Sequence, residues 1–204
     1  MTSVAVTAPI PGSPGTFIKR GRSIGWWGVL CTIATEAMLF AGLLSSYFFL
    51  WASSPHWPQG GIEPPELGRI TFFTVILLGS SIPVFYAEWA NKRGHIKLAL
   101  QAMALAFVMG ASFIVNQLLE YHNLGFGFRD NAYTAIFYLT TGLHGLHVLL
   151  GLMINLVVQA KGRARRLAPR DDISIEVFSL YWHFVDAVWI FVFASLYIAP
   201  HFAR

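Results

Sequence analysis

An all-α, polytopic membrane protein with five transmembrane helices is the fold class this sequence predicts. Of its 204 residues, 55% are hydrophobic and only 12% are charged, against roughly 25% charged in an average soluble domain. Apolar runs of about 20 residues recur along the chain, the length that crosses a ~30 Å hydrocarbon layer, and the mean hydropathy is +0.57. The basic residues collect in short connections between those runs, which is a membrane pattern rather than a nucleic-acid one.

The helices are predicted at about 24–51, 69–91, 95–120, 133–160 and 174–200. The first, with 28 residues, would be about 42 Å long, more than the core needs, so it tilts or protrudes. SSPHWPQGGIEPPELG, residues 53–68, follows with four prolines and no helical periodicity, and reads as a loop. In the second helix Pro83, within SSIPVF, predicts a kink. The connection before the third helix is short enough for a tight hairpin. The first 18 residues carry no charge and lack the positive n-region and apolar core of a signal peptide, and residues 1–23 are expected to form a flexible N-terminal tail. The rest, 24–200, reads as a single five-helix domain without internal repeats. Cys31 is the only cysteine, which excludes an internal disulfide and a thiolate cluster.

Charge orients the stack. Lys19, Arg20, Arg22, Lys92, Arg93, Lys97, Lys161, Arg163, Arg165, Arg166 and Arg170 fall on one side, and Arg69, Arg129 and Arg204 on the other. The positive-inside rule then places the N-terminus in the cytoplasm and the C-terminus outside. Arg163, Arg165 and Arg166 are the expected contacts for anionic lipid head groups.

Polar groups inside the spans are the candidate functional residues, since ionisable side chains are costly there and face protein or a wet cavity. In the last helix Glu176, Ser179, His183 and Asp186 are spaced by three, four and three positions and share one stripe. Glu36 lies near the middle of the first helix with no basic residue within two turns; a carboxyl at that depth is expected to be neutral or hydrogen-bonded to another helix. Two readings stand for it, a packing residue or a proton-handling or lipid-contacting one. His144 and His147, in TTGLHGLHVLLGLMIN, share a face with Thr140, Gly151 and Asn155. An H-x-x-H pair on a helix can hold a metal, but the nearby glycines equally allow a close helix contact with hydrogen-bonding histidines. Glu120 lies toward the outer end of the third helix and is expected to be partly hydrated, while Glu88 reads as interfacial. The sequence carries no phosphate loop, nucleophile triad, haem-attachment motif or cofactor fingerprint.

Three of these segments carry a resemblance. QLLEYHNLGFGFRDNAYTAIFYLTTGLHGLHVLLG, SLYWHFVDAVWIFVFASLYI and ATEAMLFAGLLSSYFF resemble, in order, motifs of haem-copper oxidase subunit III: a glutamate-tyrosine segment joined to TG-x-HG-x-HV, the closing WHF-x-D-x-VW helix, and a helix with a buried glutamate. The resemblance covers residues 24–200 in a short, five-helix form. It implies a subunit without haem, copper or other metal of its own, bound to subunit I of a proton-pumping oxidase alongside subunits II and IV. It implies haem and copper in partner subunits, structural phospholipids, support of proton uptake and sustained turnover, and residence in a prokaryotic cell membrane. Carried over by position, Glu36 is the membrane carboxyl, and Glu120, His144, His147, His183 and Asp186, with Glu176 at the start of their stripe, are the polar core. Cytochrome c oxidase is the leading reading; quinol oxidases and proteins accompanying nitric oxide reductases share the form. An independent metalloenzyme and a proton carrier remain as alternatives from other classes.

Overall fold

A computed structural model describes residues 24–63, 65–164, 167 and 173–202, and all helices and contacts below are those of these residues. They form an all-helical bundle with five helices long and apolar enough to cross a membrane. In chain order the helices are α1 Ile24–Ser53, α2 Leu67–Gly79, α3 Ser81–Lys92, α4 Ile96–Asn123, α5 Ala132–Arg163 and α6 Ser174–Phe193. One π-helical turn, Ala194–Ile198, and a 3₁₀ turn, Ala199–Phe202, prolong α6. The second predicted span is therefore α2 plus α3, broken at Ser80.

The break lies upstream of the proline that causes it. Pro83 has no N–H, and its ring crowds the carbonyl four residues back, that of Gly79. Helix α2 accordingly ends there, with the Ser80 N–H donating to the Ile76 and Leu77 carbonyls. At the other end of α3 the chain reverses through a Schellman motif. The Gly94 N–H bonds Asn91 O at 2.9 Å and the His95 N–H bonds Ala90 O at 2.9 Å, with Gly94 at φ 83°, where a side chain would be strained. This is the expected tight hairpin. Helix α5 starts with a capping box, in which Asn131 Oδ1 accepts from the Thr134 N–H and Thr134 Oγ1 accepts from the Asn131 N–H, satisfying two helix-start donors.

Burial is uneven. Phe40 and Tyr47 are the buried residues of α1, and 6% of its most apolar stretch is buried, against 44% for α5. Helix α1 therefore leans on the rim of the bundle and turns most of its apolar surface outward, whereas α5 runs through the middle. The interior is keyed by two tryptophans of α6. Trp182 is wedged between two glycines: a Cβ on Gly110 of α4 or on Gly151 of α5 would meet its ring at 2.7 Å. Its Nε1 donates to Ser80 Oγ at 2.8 Å. Trp189 donates to Thr74 Oγ1 at 3.0 Å and lies against Phe113, ring centroids 4.9 Å apart. Small residues thus admit close helix approach, and each indole N–H that the wedge buries finds a hydroxyl.

The loop after α1 folds back over one end of the bundle. Trp57 donates to the Tyr47 hydroxyl at 3.2 Å and lies edge-on to Tyr133 at 5.1 Å, so this end is closed by aromatic side chains.

Candidate functional site

The polar residues singled out in the sequence form three separate centres. The first joins α1 to α5. His147 Nε2 lies 3.1 Å from Glu36 Oε2, and its Nδ1 lies 2.7 Å from Leu143 O. A carbonyl only accepts, so Nδ1 carries a proton. Nε2 then either accepts from a protonated Glu36 or, in the imidazolium, donates to a carboxylate. Either state makes the pair neutral as a whole, the low-cost arrangement at this depth. The hydrogen bond to another helix that the sequence position leads one to expect of Glu36 is present. Its side chain remains 29% exposed, because the pair opens on a cleft of about 320 Å³ lined by Val29, Thr32, Leu150, Ile154, Val177 and Tyr181. The walls are almost wholly apolar, and the carboxyl is the cleft's acidic group. Tyr181 completes the corner by donating to His147 O at 3.1 Å.

His144, three residues away, points elsewhere. It is buried, stacks on Trp189 with centroids 4.5 Å apart and meets Phe113 edge-on. Neither of its ring nitrogens has a hydrogen-bond partner among the described residues. The two histidines diverge into different helix contacts, and no group of three potential metal ligands occurs among the described residues. Asn155, further along the same face, donates to Met103 O at 3.1 Å and so ties α5 to α4.

The second centre is at the end of the bundle opposite the basic loops. Arg69 Nη2 lies 3.3 Å from Glu120 Oε2, with the glutamate side chain 8% exposed and the arginine 41%. Glu120 is thus more enclosed than its sequence position suggests, held by an arginine from the start of α2. Both line an open cavity of about 650 Å³ with Glu63, Glu66 and Asn123. One turn deeper, the Tyr121 and Thr141 hydroxyls lie 2.7 Å apart.

The third centre joins α3 to α6. Ser81 Oγ donates to Asp186 Oδ2 at 2.5 Å and lies 2.9 Å from His183 Nδ1. Nearer the basic end, Lys92 Nζ is 2.5 Å from Glu88 Oε1, and Glu88 interacts with Ser179 and with His183. Glu176 is half-buried at the start of α6 and in electrostatic range of Lys92. The predicted stripe of α6 is therefore met by Ser81 and Glu88 of α3. Sequence reasoning read Glu88 as interfacial and gave Ser81 no role; the Pro83 kink beside Ser81 was the available signal. Arg163 is exposed and donates to Gln159 Oε1 at 3.0 Å. Arg165 and Arg166 lie outside the described residues, as do the tail 1–23, Arg170 and Arg204.

Five apolar spans with acid and imidazole groups, buried or half-buried, paired between helices define a multi-pass membrane protein whose interior is fastened by polar contacts. The family model of cytochrome c oxidase subunit III matches residues 3–200. The chain is 35% identical over 176 residues to cytochrome c oxidase subunit 3 of Thermostichus vulcanus, covering 86% of this chain and 87% of that one. It is 34% identical over 198 residues to a protein of Nocardia farcinica named as a probable cytochrome c oxidase subunit 3, at 91% and 96% coverage. Against the subunit 3 of Gallus gallus identity is 32% over 177 residues, which span 68% of that longer chain. The chain belongs to the cytochrome c oxidase subunit III family, and with that to an oxidoreductase complex with other oxidase subunits.

Proposed function

We propose that the chain is a non-catalytic subunit of a proton-pumping cytochrome c oxidase, holding phospholipid against the complex and supporting proton uptake and durable turnover of subunit I. Haem and copper belong to the partner subunits on this reading, and subunits II and IV complete the assembly. The observation that carries it is the Glu36–His147 pair opening on the apolar cleft between α1, α5 and α6. An acyl chain matches the cleft's walls, and a neutral acid–imidazole pair offers one polar contact without stranding a charge in hydrocarbon. Its exposed rim fits a ligand that arrives from the bilayer side.

The cleft gives a direct test. Ile154→Trp fills it from α5 while keeping Glu36 and His147 in the chain, and the purified complex is expected to retain fewer phospholipids by native mass spectrometry, with haem content unchanged. Undiminished lipid in that variant would remove the lipid role from this cleft.

The orientation is part of the proposal: N-terminus in the cytoplasm of a prokaryotic cell, C-terminus outside. The support is the clustering of Lys92, Arg93, Lys97, Lys161 and Arg163 at one end, where each is worth ~1 kcal/mol beside anionic lipid. In a Cys31→Ser background, an impermeant maleimide applied to intact cells is expected to label His56→Cys and to miss Ala164→Cys. The opposite labelling would invert the topology.

A further inference from the structure

The α3–α6 centre lies apart from the Glu36 cleft, and its groups are ordered along the membrane normal. At ~1.5 Å per residue, Ser81 stands about 16 Å inward from Lys92 on α3, and Asp186 about 15 Å inward from Glu176 on α6. Between these levels come Glu88 and Ser179, then His183, then Ser81 and Asp186. Lys92 pairs with Glu88, Glu88 lies in electrostatic range of His183, and hydrogen bonds join the inner groups: His183 Nδ1 meets Ser81 Oγ, and Ser81 Oγ meets Asp186 Oδ2. Asp186 Oδ1 is buried with no hydrogen-bond partner among the described residues.

The serine hydroxyl sets the direction of every bond in this line. It has one proton and two partners. When Asp186 is ionised it only accepts, so Ser81 donates to it and His183 must donate from Nδ1 to Ser81. When Asp186 is protonated the line reverses: the carboxyl donates to Ser81, and Ser81 donates to an Nδ1 that now accepts. Both protonation states keep both hydrogen bonds without moving a heavy atom.

We propose that Ser81 and His183 form a proton relay through which Asp186, inside the span, exchanges its proton with water at the basic end of the bundle, beside the Glu88 carboxylate. The transfer balances. The Ser81 O–H proton passes to Asp186 Oδ2, the His183 Nδ1 proton replaces it on Ser81, and His183 Nε2 takes a proton from water at the basic end, leaving hydroxide to the bulk. The imidazole is left as its other tautomer, and the reverse sequence returns the proton. The charged groups facing the line are Glu88 and Lys92 from α3 and Glu176 and His183 from α6. Glu36 of α1 and His147 of α5 meet α6 at Tyr181, on the adjacent turn. Arg93 is turned over the face of Trp89, 3.9 Å from the ring centroid.

The relay goes beyond the lipid role and is read without reference to turnover, so the two can fail separately. In the assembled oxidase, infrared spectra before and after rapid mixing into D₂O follow the protonated-carboxyl band that Asp186→Asn removes. In wild type this band is expected to shift within the mixing time. In Ser81→Ala the shift should be roughly 100-fold slower, and Ser81→Thr, which keeps the hydroxyl, should restore it. If Ser81→Ala fails to assemble, His183→Gln carries the same test, with the same slowing expected. A band that exchanges as fast in these variants as in wild type overturns the relay, as does the absence of any carboxyl band lost in Asp186→Asn.

Discussion

Gly151→Val is expected to abolish stable incorporation of this subunit into its complex. A Cβ at position 151 would come within 2.7 Å of Trp182 Cζ3 and 2.8 Å of Cε3, and the ring has nowhere to retreat. Its far edge already lies where a Cβ of Gly110 would stand, at 2.7 Å, and its Nε1 is tied to Ser80. Relief requires separating α5 from α6 or α6 from α4, which breaks the contacts of the best-buried indoles. Overpacking commonly costs 1–3 kcal/mol, and a clash at both edges of one ring puts this case at about 3 kcal/mol or more. Gly142→Ala is the control, because its Cβ would meet only the Tyr121 hydroxyl at 3.7 Å, an ordinary contact. Subunit content of the purified complex decides the matter. Wild-type incorporation of Gly151→Val would show that the Trp182 wedge does not organise the bundle.

The second large effect is at Glu36, and it falls on endurance rather than on the first turnovers. Glu36→Gln keeps the shape and a donor: its amide can donate to an Nε2 that accepts, so His147 stays satisfied. Glu36→Ala leaves the largely buried imidazole nitrogen without its partner, a loss of about 1–3 kcal/mol, and enlarges the cleft. On the proposed function, which puts the redox centres in other subunits, the initial rate of the assembled oxidase should hold in both variants. Its half-life over many turnovers should fall several-fold in Glu36→Ala and much less in Glu36→Gln, because satisfying Nε2 matters more than the acid's charge. Immediate and complete inactivity of Glu36→Gln, at normal haem content and normal assembly, would contradict this account of the residue.

The variants also mark what the sequence discloses. The number of spans, their positions to within a few residues and the kink at Pro83 follow from hydropathy, length and backbone chemistry, all of them local. The place of Glu36 near the middle of α1 is equally legible, since it depends only on position within an apolar run. Its partner is not: His147 lies 111 positions away, and its pairing depends on how α1 and α5 are rotated against each other. The same limit applies to His144 and His147, which share a helix face by spacing yet diverge, because α4 with α6 on one side and α1 on the other compete for them. The role of Ser81 is not legible in the sequence, because a serine in an apolar helix ordinarily bonds its own backbone. Only the break at Gly79–Ser80 turns it toward Asp186. Glu120 was placed correctly along its helix but is more enclosed than expected, since Arg69, 51 positions earlier, covers it.

The central claim is that this chain sustains an oxidase whose chemistry lies in other subunits. The most direct measurement compares the purified complex with and without this chain for haem and copper content and for oxygen consumption through many turnovers. The account predicts unchanged haem and copper, an initial rate close to that of the intact enzyme, and a much faster decline of activity with fewer bound phospholipids. Loss of one haem or copper per chain removed, or an initial rate of zero in a complex that keeps its metals, would contradict it.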